Sequence, residues 1–426
     1  MKNRFTVAVT GQSLIKLDVR PIRDQAFLDV KALIAGADLA FTNFESTIYG
    51  RHGGFPLKGS YFGCSSPFTL DALQEIGFGA LSLSNNHAFD LGPPGILSTL
   101  EEADRRGFLH AGLGRNHEEA ERPGIAEVGG RSVALVAMDG GPGPDFMAAA
   151  DAAPGRPERP GVNRLRLSQV IGLDGPAFEA LRSIRDRVGY NAMDLANDSQ
   201  PDDPPRLDED TEIGFARTRF RRAARLGRQV DVDTFDMARN LSAIASAADT
   251  GSLVIAYLHH HHWAADWHQV PDFVGDIARR CIDAGASMFV SHGAPVLQPL
   301  EIYRSRPIFY SLGNFLFHVA SKLGSAKSAW TAPQVWESVV ALCTFDEGGD
   351  LLGMTVHPVI IGGEAGLDDP GLEHRLVPHL ASGAGAARIL RRFTELSAGL
   401  GTQIDISDGI GRLSLVSDAV AANVAG

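Results

Sequence analysis

The sequence predicts an α/β fold. From residue 4 to 140, apolar strand-like runs alternate with amphipathic helical segments, and the same alternation resumes near residue 233. The first three strand-like runs each end in a polar cluster: Gly11-Gln12-Ser13, Asn43-Phe44-Glu45 and Ser84-Asn85-Asn86-His87. Strands that deliver hydrogen-bonding or metal-ligating groups at their C-terminal ends place a site at one edge of a sheet.

In chain order, strands are expected at 5–10, 38–44, 79–84 and 132–138, with amphipathic helices around 24–35, 68–76 and 94–107. Pro93 and Pro94 suit the start of the third helix, because the first helical turn has no use for their missing N–H groups. From 141 to 232 the character changes to Gly, Pro, Asp and Arg, broken by one helix at 176–187. That is too long for a plain loop, so an insertion or lid is expected there. A helix at 233–247, a strand at 252–258, a helix at 272–284 and strands at 286–290 and 307–311 follow, then strand candidates at 335–345 and 351–359 that suggest a second sheet. One elaborated domain over 1–363 is expected, with a helical extension from 364 to 426, helical around 384–398, packed on it.

Hydrophobic residues make up 44% of the 426-residue chain and charged ones 21%, enough apolar material for a core and too little charge for a disordered chain. A net charge of -12 argues against nucleic acid as a partner, since phosphate binding needs a clustered basic footprint. The one basic cluster, Arg217 to Arg228, follows the acidic run Asp202 to Glu212, and mutual neutralisation is its plain reading. Cys64, Cys281 and Cys343 lack metal-knuckle or disulfide-framework spacing, which fits a reducing compartment. With no signal-like segment before the first strand and no run of spanning length, the expectation is a cytoplasmic protein without a membrane partner.

The run Tyr257-Leu258-His259-His260-His261-His262-Trp263 leaves the apolar strand Leu253 to Ala256, too far inside the chain for a terminal tag. With Glu45, Asn86, His87, Asp90 and His292 it assembles a mixed N/O donor set suited to a divalent zinc, manganese or iron ion. Any one of these residues alone is an ordinary loop hydrogen-bonder; Asp90 in particular suits a helix N-cap ahead of Pro93. His259 and His261 are two apart on an extended segment and so face the same way, while His260 faces the other. Gln12, Arg51, His52, Lys58 and Tyr61 are candidates for binding a substrate carboxylate, although loop cations are commonly solvated. Trp263, Trp267 and His268 are candidates for an aromatic wall, with core packing as the alternative for the tryptophans.

Asn43-Phe44-Glu45, Leu83-Ser84-Asn85-Asn86-His87-Ala88-Phe89-Asp90-Leu91-Gly92, Leu258-His259, and the stretches Val296 to Tyr303 and Pro307 to Phe315 resemble the CapA capsule-synthesis family. That family is associated with poly-γ-glutamate and belongs to the calcineurin-like metallophosphoesterase superfamily. The resemblance covers about residues 5–140 and 250–345. It implies a four-layer α/β/β/α sandwich with metal at the C-terminal edge of the sheets. Carried over, it implies Glu45 as a bridging carboxylate, Asn86, His259 and His292 as ligands, and His87 as the acid that protonates a leaving group. This chain departs from the family in two places: Gly11-Gln12 stands where Gly-Asp is usual, and Gly293-Ala294-Pro295 where a His-Pro-His-like string is usual. In the parent pattern both losses fall on one metal position. One position is therefore expected to be retained and the other lost, or rebuilt from His261 or His262.

A single metal can lower the pKa of bound water and polarise a carbonyl, but is poorly suited to the two-metal clamp of phosphoester hydrolysis. The leading expectation is thus a metal-dependent hydrolase of an amide, ester or lactone, or a metal-assisted lyase, acting on a small acidic or aromatic substrate, with Asp90 orienting the His87 ring. An accessory protein for a γ-linked polymer and a phosphoesterase with a rebuilt dinuclear site are the alternatives. A homodimer remains open.

Overall fold

The computed structural model describes residues 4–58, 63–190, 192–193, 207, 209–319, 332–368 and 371–415. The chain divides into a main unit, residues 1–165 with 235–426, and a smaller unit, residues 166–234. The fold is α/β, as the alternation of apolar runs predicts.

Two large sheets form the core of the main unit. Strands Phe5–Val9, Leu39–Asn43, Ala80–Ser82 and Leu109–Ala111 lie parallel in the first, which continues on the other side of Phe5–Val9 through Glu337–Phe345 and Leu351–Ile361. The second carries Arg131–Gly140, Leu253–His260, Met288–His292 and Arg306–Phe309 in parallel. Parallel neighbours require a crossover, and the helices Gln25–Ala35, Phe68–Ile76, Thr234–Asp249 and Asp272–Asp283 supply it. Val7, Val9 and Phe41 of the first sheet share one apolar cluster with Leu135, Ile255, Tyr257 and Val290 of the second. Within it, the Phe41 and Tyr257 rings meet edge-on at 5.6 Å. On the other face of the first sheet, Ala8, Ala40 and Leu81 pack with Phe27, Val30, Ile34, Leu70 and Leu73 of two crossover helices.

This packing fixes where the site lies. All eight residues of Leu253–His260 are buried, which is why the strand reads as a continuous apolar run until its histidines. Parallel register then sets Asp139, His259 and His292 side by side at the strand ends.

The C-terminal stretch differs from the expected helical extension. It includes the helix Gly383–Ala398, but Pro378–Leu380 and Ile410–Ser414 both pair with Leu351–Ile361, and Asp405–Ser407 extends the sheet further. Short strands bracketed by Gly and Asp give little periodicity, so the sequence shows the helix and hides the sheet edge.

In the smaller unit a four-stranded sheet runs in the order Glu212–Phe215, Thr218–Arg222, Leu167–Leu173, Gly227–Val232, with the helix Gly175–Arg187 capped by Asp174. Arg219 and Arg221 pair with Glu212 at 2.7 and 2.5 Å, and Arg221 also meets Asp231 at 2.5 Å. Neutralisation of the basic cluster thus takes the form of cross-strand ion pairs. Among the described residues no helix is long and apolar enough to cross a membrane.

Candidate metal centre

At the end of Leu253–His260 the backbone stays extended, and alternate side chains diverge. His259 and His261 face one side, their Nε2 atoms 3.2 Å apart. His260 and His262 face the other, each edge-on to Phe273 of the helix Asp272–Asp283 at 6.0 and 5.9 Å. The Trp263 ring lies 5.0 Å from His261 and meets Trp267 at 5.4 Å, so the two tryptophans extend the His261 side as an aromatic surface.

The loop after Ala80–Ser82 is held by Asn85. Its side-chain N–H groups donate to the Phe44 carbonyl at 2.8 Å, and its oxygen accepts the His87 N–H at 3.1 Å. So fixed, the loop sets Asn86 Oδ1 2.8 Å from His259 Nε2. The Glu45 N–H bonds to the Ser13 carbonyl at 3.0 Å, and Glu45 Oε1 lies 3.8 Å from the same His259 nitrogen. Ligand atoms of Glu45, His259 and His261 all fall within 4.8 Å of one another.

Hydrogen bonding leaves part of this group unsatisfied among the described residues. A carboxylate oxygen, an amide oxygen and two imidazole nitrogens converge, and His259 Nε2 has at most one proton to give. Glu45 Oε2 and His259 Nδ1 are buried without a hydrogen-bond partner among the described residues. A cation would give the converging oxygens and nitrogens a common partner. With ligand bonds of about 2.1 Å, a tetrahedral ion separates its ligands by about 3.4 Å, and the observed 2.8 to 3.8 Å brackets that value. Glu45, Asn86, His259 and His261 would hold the ion.

Electrostatics agree. Burial, reinforced by Asp90 and Asp139 against the opposing Lys58, pushes the Glu45 carboxyl up to about 8. Burial pushes His260, His261 and His292 down to about 3, and burial with the surrounding imidazoles holds His259 well below its ordinary value. Neutral imidazoles are what a metal requires, and a carboxyl that resists ionisation in the metal-free protein is one that a cation would relieve.

Next to this group, His87 Nδ1 is 2.7 Å from Asp90 Oδ2. Asp90 does not cap the helix Pro93–Arg105, whose N-cap is Gly92. It accepts the Gly63 N–H at 2.7 Å and pairs with Lys58 at 2.9 Å. Lys58 also donates to the Asn86 carbonyl. Gly63 lies against the His87 ring, where a Cβ would come within 2.7 Å of Nδ1. Burial lowers the His87 pKa and the bond to Asp90 opposes that shift.

Other candidate residues fall elsewhere. The His292 Nε2 donates to the Thr10 carbonyl at 3.1 Å, and His292 is not part of the Glu45–His259–His261 group. The Thr10 carbonyl takes Nε2 and leaves Nδ1, buried without a hydrogen-bond partner among the described residues, as the ring's open nitrogen. Gln12 is likewise engaged, its Nε2 donating to Asn314 Oδ1 at 3.0 Å, which leaves a buried Oε1 unpaired among the described residues. Arg51 and His52 bind Glu101 at 2.6 and 3.1 Å and line a surface depression with Leu97, Arg105 and Arg115 that no member of the metal group touches. A helix carboxylate holds these two side chains. His268 bonds to the Leu297 carbonyl at 2.8 Å and lines another depression apart from the metal group. Tyr61 lies outside the described residues.

Gly293 explains one departure noted in the sequence. Its φ is +120°, and a Cβ there would sit 1.9 Å from the His260 carbonyl oxygen. Gly293→Ala is expected to lower stability by about 2–5 kcal/mol through backbone strain and overpacking combined; an unchanged melting temperature would contradict this close approach.

Acid should also destabilise the metal-free protein. Histidines whose folded pKa is depressed bind protons below pH 6.5 only when the chain unfolds, so their contribution is full above 6.5 and is lost as pH falls toward 3. Glu45, raised to about 8, acts in the opposite sense. Three proton uptakes, at His260, His261 and His292, less one release give a slope of roughly 3 kcal/mol per pH unit between 6 and 4.5. Calorimetric melting of the metal-stripped protein should decline steeply over that window, and a flat profile would show that these imidazoles titrate normally.

A sequence model described as bacterial capsule synthesis protein PGA_cap matches residues 6–319. An uncharacterized protein of Sinorhizobium fredii, y4sH, is 29% identical over 96% of this chain and 93% of its own length. Capsule biosynthesis protein CapA of Bacillus anthracis is 23% identical over 74% of this chain and 60% of its own. A probable polyglutamine synthesis accessory protein of Mycobacterium tuberculosis, MT0602, is 25% identical over 65% and 55% respectively. Since the match covers most of the chain and every residue that converges on the metal position, the chain belongs to the bacterial capsule synthesis protein PGA_cap family.

Proposed function

We propose that this protein is a metal-dependent hydrolase that cleaves an amide, ester or lactone bond in a small acidic or aromatic substrate. The observation that carries this reading is the convergence of Glu45, Asn86, His259 and His261 on one point. When bound there, a divalent zinc, manganese or iron ion supplies Lewis acidity and a more acidic bound water.

The protein's own groups do the rest. Asp90 accepts the His87 Nδ1 proton and fixes the tautomer in which Nε2 takes up a proton and returns it to a leaving group. Lys58 ties Asp90 to the Asn86 backbone, so the ligand loop and the proton-transfer pair hold together. Trp263, stacked beside His261, offers an apolar surface for the substrate.

A phosphoester reaction is less well supported. The two-metal clamp would need a second anionic ligand where the Gln12 carboxamide is bound to Asn314. Relatives named as capsule biosynthesis and accessory proteins support a second reading, an accessory role in capsule or poly-γ-glutamate synthesis, with which the proposed chemistry is compatible.

Chromogenic substrates separate these readings. Metal-stripped protein should be inert, and adding back Zn(II), Mn(II) or Fe(II) should release product from a γ-glutamyl anilide or a simple aryl ester faster than from an aryl phosphate. Preference for the aryl phosphate would favour the phosphoesterase, and no turnover of any substrate with the metal bound would leave the accessory role.

A further inference from the structure

Behind the ligands lies a pair of buried charges that the chemistry above does not use. Asp139 is fully buried and Arg164 is 7% exposed, with Arg164 Nη1 2.5 Å from Asp139 Oδ2. Their backbones are joined as well, the Asp139 N–H donating to the Asn163 carbonyl and the Leu165 N–H to the Asp139 carbonyl, each at 2.9 Å. A buried ion pair is a weak source of stability, because desolvation offsets its attraction. What this pair holds is a peptide.

The Gly141 N–H donates to Asp139 Oδ1 at 2.8 Å, and the Gly141 carbonyl accepts from Arg164 Nη1 at 3.0 Å. Both ends of one residue are therefore gripped by one ion pair. That residue stands between two members of the metal group: a Cβ on Gly141 would lie 2.9 Å from Asn86 Cβ and 3.2 Å from His259 Cδ2. Asp139 is also the ladder partner of His259, so the clamp is anchored on the strand that carries the ligand's neighbour. We infer that Asp139 and Arg164 are positioning residues that hold Gly141 as a spacer, setting the separation of Asn86 and His259 and with it the geometry offered to the metal.

This inference rests on the metal reading, and Co(II) tests the two separately. Metal-stripped wild-type protein titrated with Co(II) should bind one equivalent and develop visible d–d absorption. Gly141→Ala keeps both charged residues but puts a Cβ 2.8 Å from Asp139 Oδ1 and into the gap between Asn86 and His259, and should bind about 10–100-fold more weakly with a shifted visible band. Asp139→Asn keeps an acceptor for the Gly141 N–H but loses the charge facing Arg164, and should weaken binding by about tenfold. A purely structural role would lower the melting temperature and leave the spectrum of the bound ion unchanged. Wild-type affinity and spectrum in Gly141→Ala would overturn the clamp. Should that variant not fold, wild-type affinity in Asp139→Asn would do so instead. Failure of the wild-type protein to take up Co(II) would remove the metal reading itself.

Discussion

His259→Ala should reduce metal affinity by more than about 100-fold, beyond the loss expected for an outer partner of a ligand. The side chain is the hub of the group: Asn86 Oδ1, His261 Nε2 and Glu45 Oε1 lie 2.8, 3.2 and 3.8 Å from its Nε2. Its removal also relieves a buried imidazole of an unfavourable setting, so the variant should fold. Glu45→Ala should lose the metal as well, since it takes away the one carboxylate in the group. Equilibrium dialysis against Zn(II) reads both losses. Hydrolytic activity in a metal-free His259→Ala protein would show that the site has been misplaced.

His87→Ala should do the opposite: keep the metal and lose turnover by about 10²- to 10⁴-fold, the range for removing a general acid or base. His87 is outside the Glu45–His259–His261 group, while its Nδ1 is committed to Asp90 at 2.7 Å. Asp90→Asn should retain the metal and lose a smaller part of the rate, because the amide can still contact the ring but no longer favours its charged form. If His87→Ala stripped the metal along with the activity, the ring would belong among the ligands.

Much of this arrangement was legible in the sequence because it follows from periodicity. The run Leu253 to Leu258 could only be a buried strand, and alternation along it separated His259 and His261 from His260. Polar clusters at the ends of Phe5–Val9, Leu39–Asn43 and Ala80–Ser82 marked the edge where the site lies. What stayed hidden depends on contacts far apart in the chain. Nothing near His292 announces that the Thr10 carbonyl, 282 positions away, will take its Nε2. Arg51 and His52 read as carboxylate binders near a ligand, and only the fold brings Glu101 against them. Asp139 had a signal that went unused, a carboxylate ending a buried strand before Gly140-Gly141; Arg164, in a proline-rich stretch, had none. In the smaller unit, strands held by Arg–Glu and Arg–Asp pairs show no apolar alternation to read.

The central claim is that one metal position survives, built by Glu45, Asn86, His259 and His261. Metal analysis of the 426-residue protein, reconstituted with Zn(II), Mn(II) or Fe(II) and dialysed, tests it most directly. One tightly held equivalent per chain is the expected result. No retained metal, or two equivalents, would contradict it.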